Sequence, residues 1–254
     1  MLYGMYLSAT GVMTNSYRQD VIANNIANAE TVGFKRDLAL FQERRTEIRE
    51  RGLSPSRSNA LMEALGGGVF ASPTLHDQTQ GDVEQTRRPL DVAIMGSGFL
   101  QASNGKETFL TRDGRLTINS KNHLALENNE NFEVLDPKGK PIVLDPRHAP
   151  TIDVKGAITQ NYKAAGQIGV FDVPDPSQLV KQGGTMLAYA DMKNVRPATN
   201  FALRPECQEL ANVEPSSEMA ALMDTQRQLE ANANMIRYQD QMLAKLVNEV
   251  GKIG

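Results

Sequence analysis

Both ends of the chain carry apolar or small residues at alternating three- and four-residue intervals, the period of a helix packed against another helix. The first seam is Leu2, Met5, Ala9, Val12, Ser16, Gln19, Ala23 and Ile26. The second is Met219, Leu222, Gln226, Leu229, Ala233, Ile236, Asp240, Leu243, Val247 and Val250. We therefore predict two terminal helices, the second running from near Pro215 to near Gly251, since proline suits a helix start and glycine a helix end.

The first helix is expected to stop near residues 31–33, where a β-branched pair precedes a glycine suited to a helix terminus. Residues 35–51 carry Leu38, Phe41 and Ile48 on one side and many charges, and we predict that they continue as a charged helix. Proline, serines and three consecutive glycines indicate a flexible connection over residues 52–68.

Between residues 82 and 190 the period changes to two. The β-prone runs are Leu90–Met95, Phe99–Ala102, Thr108–Thr111, Leu116–Ile118, Phe132–Leu135, Ile142–Leu144, Ile152–Val154 and Ile168–Val173. Turn dipeptides that accept positive φ separate them: Asn104-Gly105, Asp113-Gly114, Lys138-Gly139 and Lys155-Gly156. We predict an antiparallel sandwich or open barrel, and not a parallel α/β sheet, because no helix of crossover length intervenes.

The predicted fold class is therefore mixed: paired N- and C-terminal α-helices of coiled-coil type flank a mainly antiparallel all-β domain. The predicted segments are 1–34 for the first assembly helix, 35–81 for an extended or helical connector, 82–207 for the β domain and 208–254 for the second assembly helix.

Composition limits what the chain can do. Its 254 residues contain 27 Lys and Arg against 30 Asp and Glu, so no basic excess favours nucleic acid or an anionic membrane. Its single cysteine, Cys207, excludes an internal disulfide and a cysteine-based zinc site. With no apolar run of about 20 residues, and with Arg18 as the first basic residue, we predict neither membrane insertion nor a cleaved signal peptide.

Motifs for catalysis are weak. His76, His123 and His148 lie in turn-like contexts without helical metal-pair spacing. Gly96-Ser97-Gly98 begins like a dinucleotide fingerprint, but Gln101 occupies the position of the third glycine. The nucleophile-elbow pattern G-x-S-x-G is absent from the sequence. We therefore predict no enzymatic activity, no cofactor and no metal.

The stretch from Ala23 to Lys35 is more informative, because Asn is a poor helix former and three lie within five positions. Asn24, Asn25 and Asn28 suit helix termination, since Asn tolerates the left-handed conformation. Alternatively, Asn24 and Asn28 lie four residues apart on one face and hydrogen-bond to neighbouring helices or backbone. The residues by themselves leave both interpretations open.

The same stretch, ANNIANAETVGFKR, resembles the N-terminal signature of bacterial flagellar rod and hook proteins, an A-N-N-[IL]-A-N core followed by T-x-G-[FY]-K. Residues 86–99 resemble the family's L-D-x-A-I-x-G-x-G-F segment, and residues 109–114 its Y-T-R-x-G turn. The C-terminal helix, preceded by Asn212-Val213, resembles its third shared block. The turn-motif positions carried over are Gly33, Leu90, Asp91, Gly96, Gly98, Phe99, Arg112 and Gly114.

This resemblance implies a structural subunit of the basal-body rod, whose terminal helices pair and pack with many copies into a drive shaft that spans the periplasm. The implied partners are further copies, other rod proteins, hook-side and ring components, and the flagellar export apparatus, which passes such subunits without signal cleavage. The motif TRRPLD and the ending LVNEVG favour the proximal rod, whereas DQML also resembles the distal rod protein.

The sequence departs from the family pattern at four positions. Glu206, Gln208 and Ala211 stand where glycine, leucine and serine are usual, and His123 replaces the glycine of an N-G-x-L turn.

A second hypothesis is a secreted β domain that binds surface polysaccharide and oligomerises through a coiled coil. It requires an exposed aromatic platform. The aromatic residues of the β region are expected mostly to face the core; they are Phe99, Phe109, Phe132, Tyr162, Phe171 and Tyr189.

Overall fold

A computed structural model of the protein describes residues 2–43 and 68–250. The chain divides into two compact units. The helical unit contains Met1–Ile26, Asp37–Leu75 and Pro215–Gly254, and the β unit contains Ala27–Arg36 and His76–Glu214. The connection predicted over residues 52–68 lies outside the described residues except for Gly68.

The helical unit is built on two long helices and a strand pair. Helix α1 spans Leu2–Ala27 and helix α2 spans Pro215–Val250. Strands β1, Asp37–Glu43, and β2, Val69–His76, pair with each other. Both terminal helices are thus confirmed, and the 36 residues of α2 make a rod roughly 54 Å long.

The prediction of a charged helix over residues 35–51 is wrong for Asp37–Glu43, which form β1. The Asn25 side chain pairs with both backbone groups of Asp37: its Nδ2 donates to the Asp37 carbonyl at 2.9 Å, and its Oδ1 accepts from the Asp37 N–H at 2.9 Å. With these backbone groups paired to a side chain, the segment starts extended and pairs with β2. Residues 44–51 lie outside the described part.

The β unit consists of short antiparallel strands. They are β3 Val83–Gln85, β4 Val92–Gly96, β5 Phe99–Ser103, β6 Thr108–Thr111, β7 Leu116–Ile118, β8 Leu124–Leu126, β9 Asn129–Val134, β10 Thr151–Ile152, β11 Ala157–Gln160, β12 Lys163–Gln167, β13 Val170–Asp172, β14 Leu179–Lys181, β15 Met186–Tyr189, β16 Arg196–Pro197, β17 Phe201–Pro205 and β18 Cys207–Glu209. Single 3-10 turns occur at Pro176–Gln178 and Met192–Asn194. The predicted fold class is confirmed.

The largest sheet has the order β14-β15-β6-β5-β9-β8-β7, with β13 joining β5 to β16. Smaller sheets are β10-β11-β12, β4 with β17, and β3 with β18. Aliphatic side chains with no exposed surface form the main core between these strands; they include Val92, Ile94, Leu100, Leu116, Leu124, Leu126, Ile158 and Ile168. A second cluster gathers around Phe99, Leu110 and Phe171.

Some predicted strands and turns need correction. Leu90 lies in a turn before β4, and residues 142–144 form only an isolated antiparallel bridge between Val143 and His123, made by the hydrogen bonds Leu124 N–H to Ile142 O and Leu144 N–H to Asn122 O. Three of the four predicted turn glycines have positive φ, but Gly114 does not. Gly114 is needed for close approach instead, since a Cβ there would overlap the Val92 carbonyl oxygen.

Candidate assembly interface

The two terminal helices pack antiparallel in a register set by three contacts. A Cβ atom on Gly4 would lie 2.9 Å from Gln239 Nε2, and one on Gly11 would lie 2.8 Å from Asn232 Nδ2. At the far end, Asn25 Nδ2 donates to Glu218 Oε2 at 3.4 Å. From one contact to the next, the residue number rises along α1 and falls along α2 by the same multiple of seven. A single antiparallel register therefore accounts for all three contacts.

The side of α2 that faces α1 differs from the predicted seam. Buried or partly buried residues recur there at three- and four-residue steps, and we call them the inner line: Glu218, Leu222, Thr225, Leu229, Asn232, Ile236, Gln239 and Leu243. It shares every second position with the predicted seam, but Met219, Gln226 and Val247 of that seam are exposed. The reason is size, because the missing side chains of Gly4 and Gly11 leave room for the amides of Gln239 and Asn232. Ala233 is partly buried, and the described structure does not extend to the Val250 side chain.

The predicted seam of α1 lies beside this contact. Met5, Val12, Gln19 and Ile26 are partly buried, whereas Ser16 and Ala23 are exposed. Gly4 and Gly11 lie against Gln239 and Asn232 of α2, and Asn25 bonds to Glu218. Hydrophobic periodicity therefore located the helix, but Gly4, Gly11 and Asn25, which lie against α2, are not part of its predicted apolar seam.

An amide and carboxylate cluster closes the end of α1. Asn25 is almost completely buried and bonds to Asp37 and Glu218, while Asn24 Nδ2 donates to Asp37 Oδ2 at 3.0 Å. Glu218 is also buried and lies in the first turn of α2, where a carboxylate is favoured by the helix dipole. Of the two interpretations, these bonds favour hydrogen bonding for Asn24 and Asn25.

Asn28 serves the turn after α1. Its carbonyl oxygen accepts from the Thr31 N–H at 3.0 Å, and its side-chain oxygen accepts from the Thr31 hydroxyl at 3.3 Å. This is the terminating role that Asn can take after a helix. The three asparagines thus divide between the two interpretations.

Strands β1 and β2 lie along α1. The Tyr17 ring packs edge-to-face on Phe41 at 6.3 Å between centroids, and the Tyr17 hydroxyl donates to the Ser72 carbonyl at 3.4 Å. One turn from the start of α1, Gly68 approaches Tyr6 and Thr10. Within the helical unit, α1 is therefore covered on one side by α2 and on another by the strand pair.

A buried ion cluster in the β unit joins the family motifs. Glu209 has no exposed surface; its Oε1 lies 2.6 Å from Lys35 Nζ and its Oε2 3.3 Å from Arg112 Nη1. Lys35 Nζ also donates to the Thr79 carbonyl, and Arg112 Nη2 to the Gly96 carbonyl at 2.7 Å. One carboxylate thereby connects the T-x-G-F-K segment, the T-R-x-G turn and strand β18.

Burial lowers the pKa of the Lys35 ammonium below its usual 10.5, and Glu209 opposes that effect. Between the folded pKa and 10.5 the unfolded chain binds the extra proton, so Lys35 favours folding more as pH rises through that window. Below that window, the ion pair with Glu209 and the bond to Thr79 must offset the cost of burying the charged ammonium.

Gly33 is required by close approach and conformation together. It has φ of 71°, and a Cβ there would lie 2.5 Å from the Arg112 carbonyl carbon. Its N–H donates to the Glu209 carbonyl at 2.8 Å. Next to it, Lys181 Nζ sits 3.6 Å from the centre of the Phe34 ring and donates to the Lys35 carbonyl. The motif position predicted from resemblance is therefore a packing point against the Arg112 turn.

The L-D-x-A-I-x-G-x-G-F positions surround the same turn. Asp91 is completely buried, with Oδ1 3.6 Å from Arg88 Nε, and Leu90 is partly buried. Gly98 has φ of 122°, and a Cβ there would lie 2.7 Å from Val170 Cγ1. The Phe99 ring lies under the Arg112 guanidinium, 5.4 Å from its centre. Of these motif residues, Phe99 and Gly96 contact the Arg112 guanidinium directly.

The aromatic side chains of the β unit do not form a platform in the described structure. Phe99, Phe171 and Tyr189 are buried, and Phe109 and Phe132 are partly buried and pack edge-to-face on each other. These five rings agree with the expectation that the aromatic side chains mostly face the core, and Tyr162 is the exception: it is fully exposed because it lies in the turn between β11 and β12.

Among residues 2–43 and 68–250, no group of three or more His, Cys, Asp and Glu side chains is arranged to hold a metal ion. Neither terminal helix, over its described residues, combines the length and hydrophobicity needed to cross a membrane.

Comparison with known proteins decides the family. The chain is 32% identical to the flagellar basal-body rod protein FlgF of Caulobacter vibrioides over 252 residues, 98% of each chain. It belongs to the flagellar basal-body rod protein family. The family model described as flagella basal body rod protein matches residues 5–35, and the one described as flagellar basal body rod FlgEFG protein C-terminal matches residues 207–249.

Further relatives of this rod family match over the same extent. The flagellar basal-body rod protein FlgG of Buchnera aphidicola is 29% identical, covering 97% of this chain and 99% of its own. The flagellar hook-basal body complex protein FlhO of Bacillus subtilis is 28% identical over the full length of both chains. The two matched segments hold α1 with the Lys35 motif, and β18 with α2.

Of the four departures from the family pattern, Glu206 takes the left-handed conformation that glycine favours. Glu206, at the usual glycine position, has φ of 55°, and its carbonyl accepts from the Thr86 N–H at 2.8 Å. At the N-G-x-L turn, Asn122 has the positive φ of 64°, and His123 donates its N–H to Asn119 Oδ1. Gln208 pairs in register with Glu84, and Ala211 is partly buried.

Two functional residues were missed from the sequence. Glu209 matches the glutamate of the family pattern G-x-L-E-x-S-N-V, but it was not singled out, because an acidic residue in a short strand is ordinarily exposed. Glu218 had a partial signal, since an acidic residue in the first helical turn is common, but its burial against Asn25 depends on how α1 and α2 pair.

Proposed function

We propose that this chain is a structural subunit of the flagellar basal-body rod that polymerises through α1 and α2 into the torque-transmitting shaft. The observation that carries the proposal is the exposed apolar surface of the helix pair. Large apolar side chains remain at least two-fifths exposed there, at Tyr6, Met13, Met219, Met223, Met235, Tyr238, Met242, Leu246 and Val247. Surfaces of this kind favour association with another protein.

The charge distribution supports the same proposal. Up to residue 28 the sequence contains only Arg18 and Asp20 as charged residues, although a solvent-exposed helix usually carries many charges on its outer face. Burying such a helix among neighbours costs little charge desolvation. The names of its relatives, basal-body rod protein and hook-basal body complex protein, support this location.

The proposal also covers the partners of the chain, its export and its position in the rod. Partners are further copies, other rod proteins, and hook-side and ring components. The flagellar export apparatus delivers the chain without a cleaved signal peptide, and the chain occupies the proximal rod. We also propose four segments: residues 1–34 and 208–254 are the assembly helices, residues 35–81 are the connector and residues 82–207 are the β domain.

Deletion of residues 219–250 tests the role of the helices. We expect the truncated chain to lose polymerisation and motility, because α1 then loses its helical partner α2, while the β unit retains its strand signal in circular dichroism. A truncated chain that still supports rod assembly would refute the proposal. Mass spectrometry of basal bodies split into proximal and distal rod fractions tests the proximal position.

A further inference from the structure

The β unit contains an open pocket of about 380 Å³, lined by residues of strands β6, β9 and β15 and of the turns beside them. This volume lies within the range of roughly 300–1,000 Å³ that is typical of small-molecule sites. Phe109, Phe132 and Met186 form its apolar part, and all three are partly buried. Its rim consists of exposed polar side chains, which are Glu107, Asn128, Asn129 and Gln182. We call this cavity the amide-rimmed pocket.

The rim of the pocket has hydrogen-bonding groups to offer a ligand. Within the described residues, no hydrogen bond or ion pair holds the Glu107 carboxylate or the Gln182 amide. Among the same residues, Asn128 uses its Nδ2 in a bond of 3.1 Å and Asn129 its Oδ1 in one of 3.3 Å, so the other amide atom of each stays available. An amide both donates and accepts hydrogen bonds, as a hydroxyl group does. The rim therefore suits a ligand that is rich in hydroxyl groups.

The apolar part of the pocket suits the C–H side of a sugar ring. The Phe109 and Phe132 rings meet edge-to-face, with 5.6 Å between centroids and 70° between planes. An aromatic face carries partial negative charge, so it attracts the weakly positive C–H groups that cover one side of a pyranose. Met186 lies beside the rings, and a methionine side chain adapts to irregular surfaces. The two rings thus form the wall of a pocket, although they do not form a flat platform.

Charge and topology disfavour other classes of ligand. The described residues that line the pocket include one carboxylate, that of Glu107, and no lysine or arginine, so a phosphate group or an acidic polymer is repelled. Strands β6, β9 and β15 each have a neighbouring strand on both sides, so an extended peptide cannot add to an open strand edge here. A purely apolar ligand would leave the polar rim without hydrogen-bond partners. A neutral ligand that carries many hydroxyl groups meets all three conditions.

We propose that the amide-rimmed pocket binds a neutral oligosaccharide. One sugar ring packs on Phe109 and Phe132, and its hydroxyl groups bond to the Glu107 carboxylate and the Gln182 amide. The rest of the oligosaccharide leaves over Gly183 and Gly184, where a Cβ atom would have no non-neighbouring atom within 4 Å. This inference goes beyond the structural role in the rod and does not depend on it.

Nuclear magnetic resonance of methionine methyl groups tests where a sugar binds. The full-length chain has 11 methionines, and isotope labelling of their methyl groups gives each one a signal, of which Met186→Leu identifies that of Met186. Titration with cellotetraose, or with the tetramer of N-acetylglucosamine, should shift the Met186 signal for at least one of these neutral sugars. Met95, on β4 and outside the pocket, is the internal control and should not shift. No shift with either sugar, or shifts confined to other methionines, overturns the proposal.

Substitutions at the exposed rim test the contacts without disturbing the core. Gln182→Ala should weaken binding of the sugar roughly twofold to tenfold, and Glu107→Ala about tenfold or more, because hydrogen bonds to a charged group are stronger. The matched control Gln85→Ala removes an exposed amide on β3, outside the pocket, and should leave the affinity unchanged. Circular dichroism should show that all three variants fold as the wild type does. Unchanged affinity in both rim variants, or equally tight binding of the acidic tetramer of galacturonate, refutes the proposal.

Discussion

The helical unit and the β unit are stabilised by different kinds of contact. In the β unit, aliphatic side chains such as Ile94, Leu100 and Leu124 have no exposed surface. In the helical unit, the inner line of α2 alternates apolar residues with Glu218, Thr225, Asn232 and Gln239, and large apolar residues stay exposed. The difference teaches that the β unit is complete within one chain, whereas the helical unit keeps apolar surface for other chains.

The largest effect is expected from the buried charges of the β unit. Glu209→Gln removes the carboxylate shared by Lys35 and Arg112 and leaves two buried cations, so we expect a loss of about 3–5 kcal/mol in the free energy of unfolding. Urea unfolding followed by circular dichroism measures it. Glu84→Gln on the paired strand β3 is the matched exposed control and should change stability by less than about 0.5 kcal/mol. A cost for Glu209→Gln as small as that of the control would show that the cluster contributes nothing.

A pair of leucine truncations compares the two units directly. Leu116→Ala in the completely buried core should cost about 2–5 kcal/mol, because it leaves a cavity. Leu229→Ala, at a partly buried position of α2, should cost less than about 1.5 kcal/mol, since this side chain buries less apolar area than Leu116. Unfolding free energies of the full-length chain at a concentration below self-association give both values. Equal costs would contradict the contrast drawn between the units.

The helix register can be broken at its glycines. Gly11→Leu places a side chain against Asn232, where overpacking costs about 1–3 kcal/mol, offset by about 1 kcal/mol from replacing a helix-interior glycine. We therefore expect the free energy of unfolding of the helical unit to fall by roughly 1 kcal/mol. Thermal unfolding followed by the helical circular dichroism signal measures this change. Adding Asn232→Ala removes the obstructing amide and should restore stability. Purely additive effects of the two changes would refute the register.

The smallest effect is expected at the surface of the β unit. Arg88 and Glu127 pair at 2.6 Å, but their side chains are 48% and 39% exposed, so Arg88→Gln should cost about 0–1 kcal/mol. The hydrogen bond from Arg88 lowers the pKa of Glu127 below its usual 4.5, so this stability is present above pH 4.5 and is lost as pH falls through the folded pKa. When the wild-type and Arg88→Gln chains are titrated with acid, their unfolding free energies should converge as the pH falls through the folded pKa of Glu127. A difference that persists below this pH would contradict the role given to the Arg88–Glu127 pair.

Much of the fold is readable from particular residues. The long heptad seam and the Pro215 start locate α2, and the two-residue period locates strands such as Thr108–Thr111 and Leu116–Ile118. Strand β1 was mistaken for helix because its charges suit a helix, while Asn25, twelve residues earlier, pairs with both backbone groups of Asp37. Local pattern cannot show a side chain that comes from another element.

The candidate interface was predicted only in part. Apolar periodicity identified Leu222, Leu229, Ile236 and Leu243, but Asn232 and Gln239 entered the inner line because Gly4 and Gly11 face them. In the β unit, motif resemblance singled out Gly33, Arg112 and Gly96, but Glu209 was not chosen, since its role as the carboxylate that joins their segments depends on the fold.

By itself the sequence determined two terminal helices, the antiparallel β region between them and the rod-family motifs, because periodicity and turn residues act over a few positions. Only the tertiary structure decided the phase of the α1–α2 pairing, the extended start of β1 and the meeting of Lys35, Arg112 and Glu209. The physical reason is that each depends on the space and partners that a distant segment supplies, and such long-range complementarity is not written in any local period.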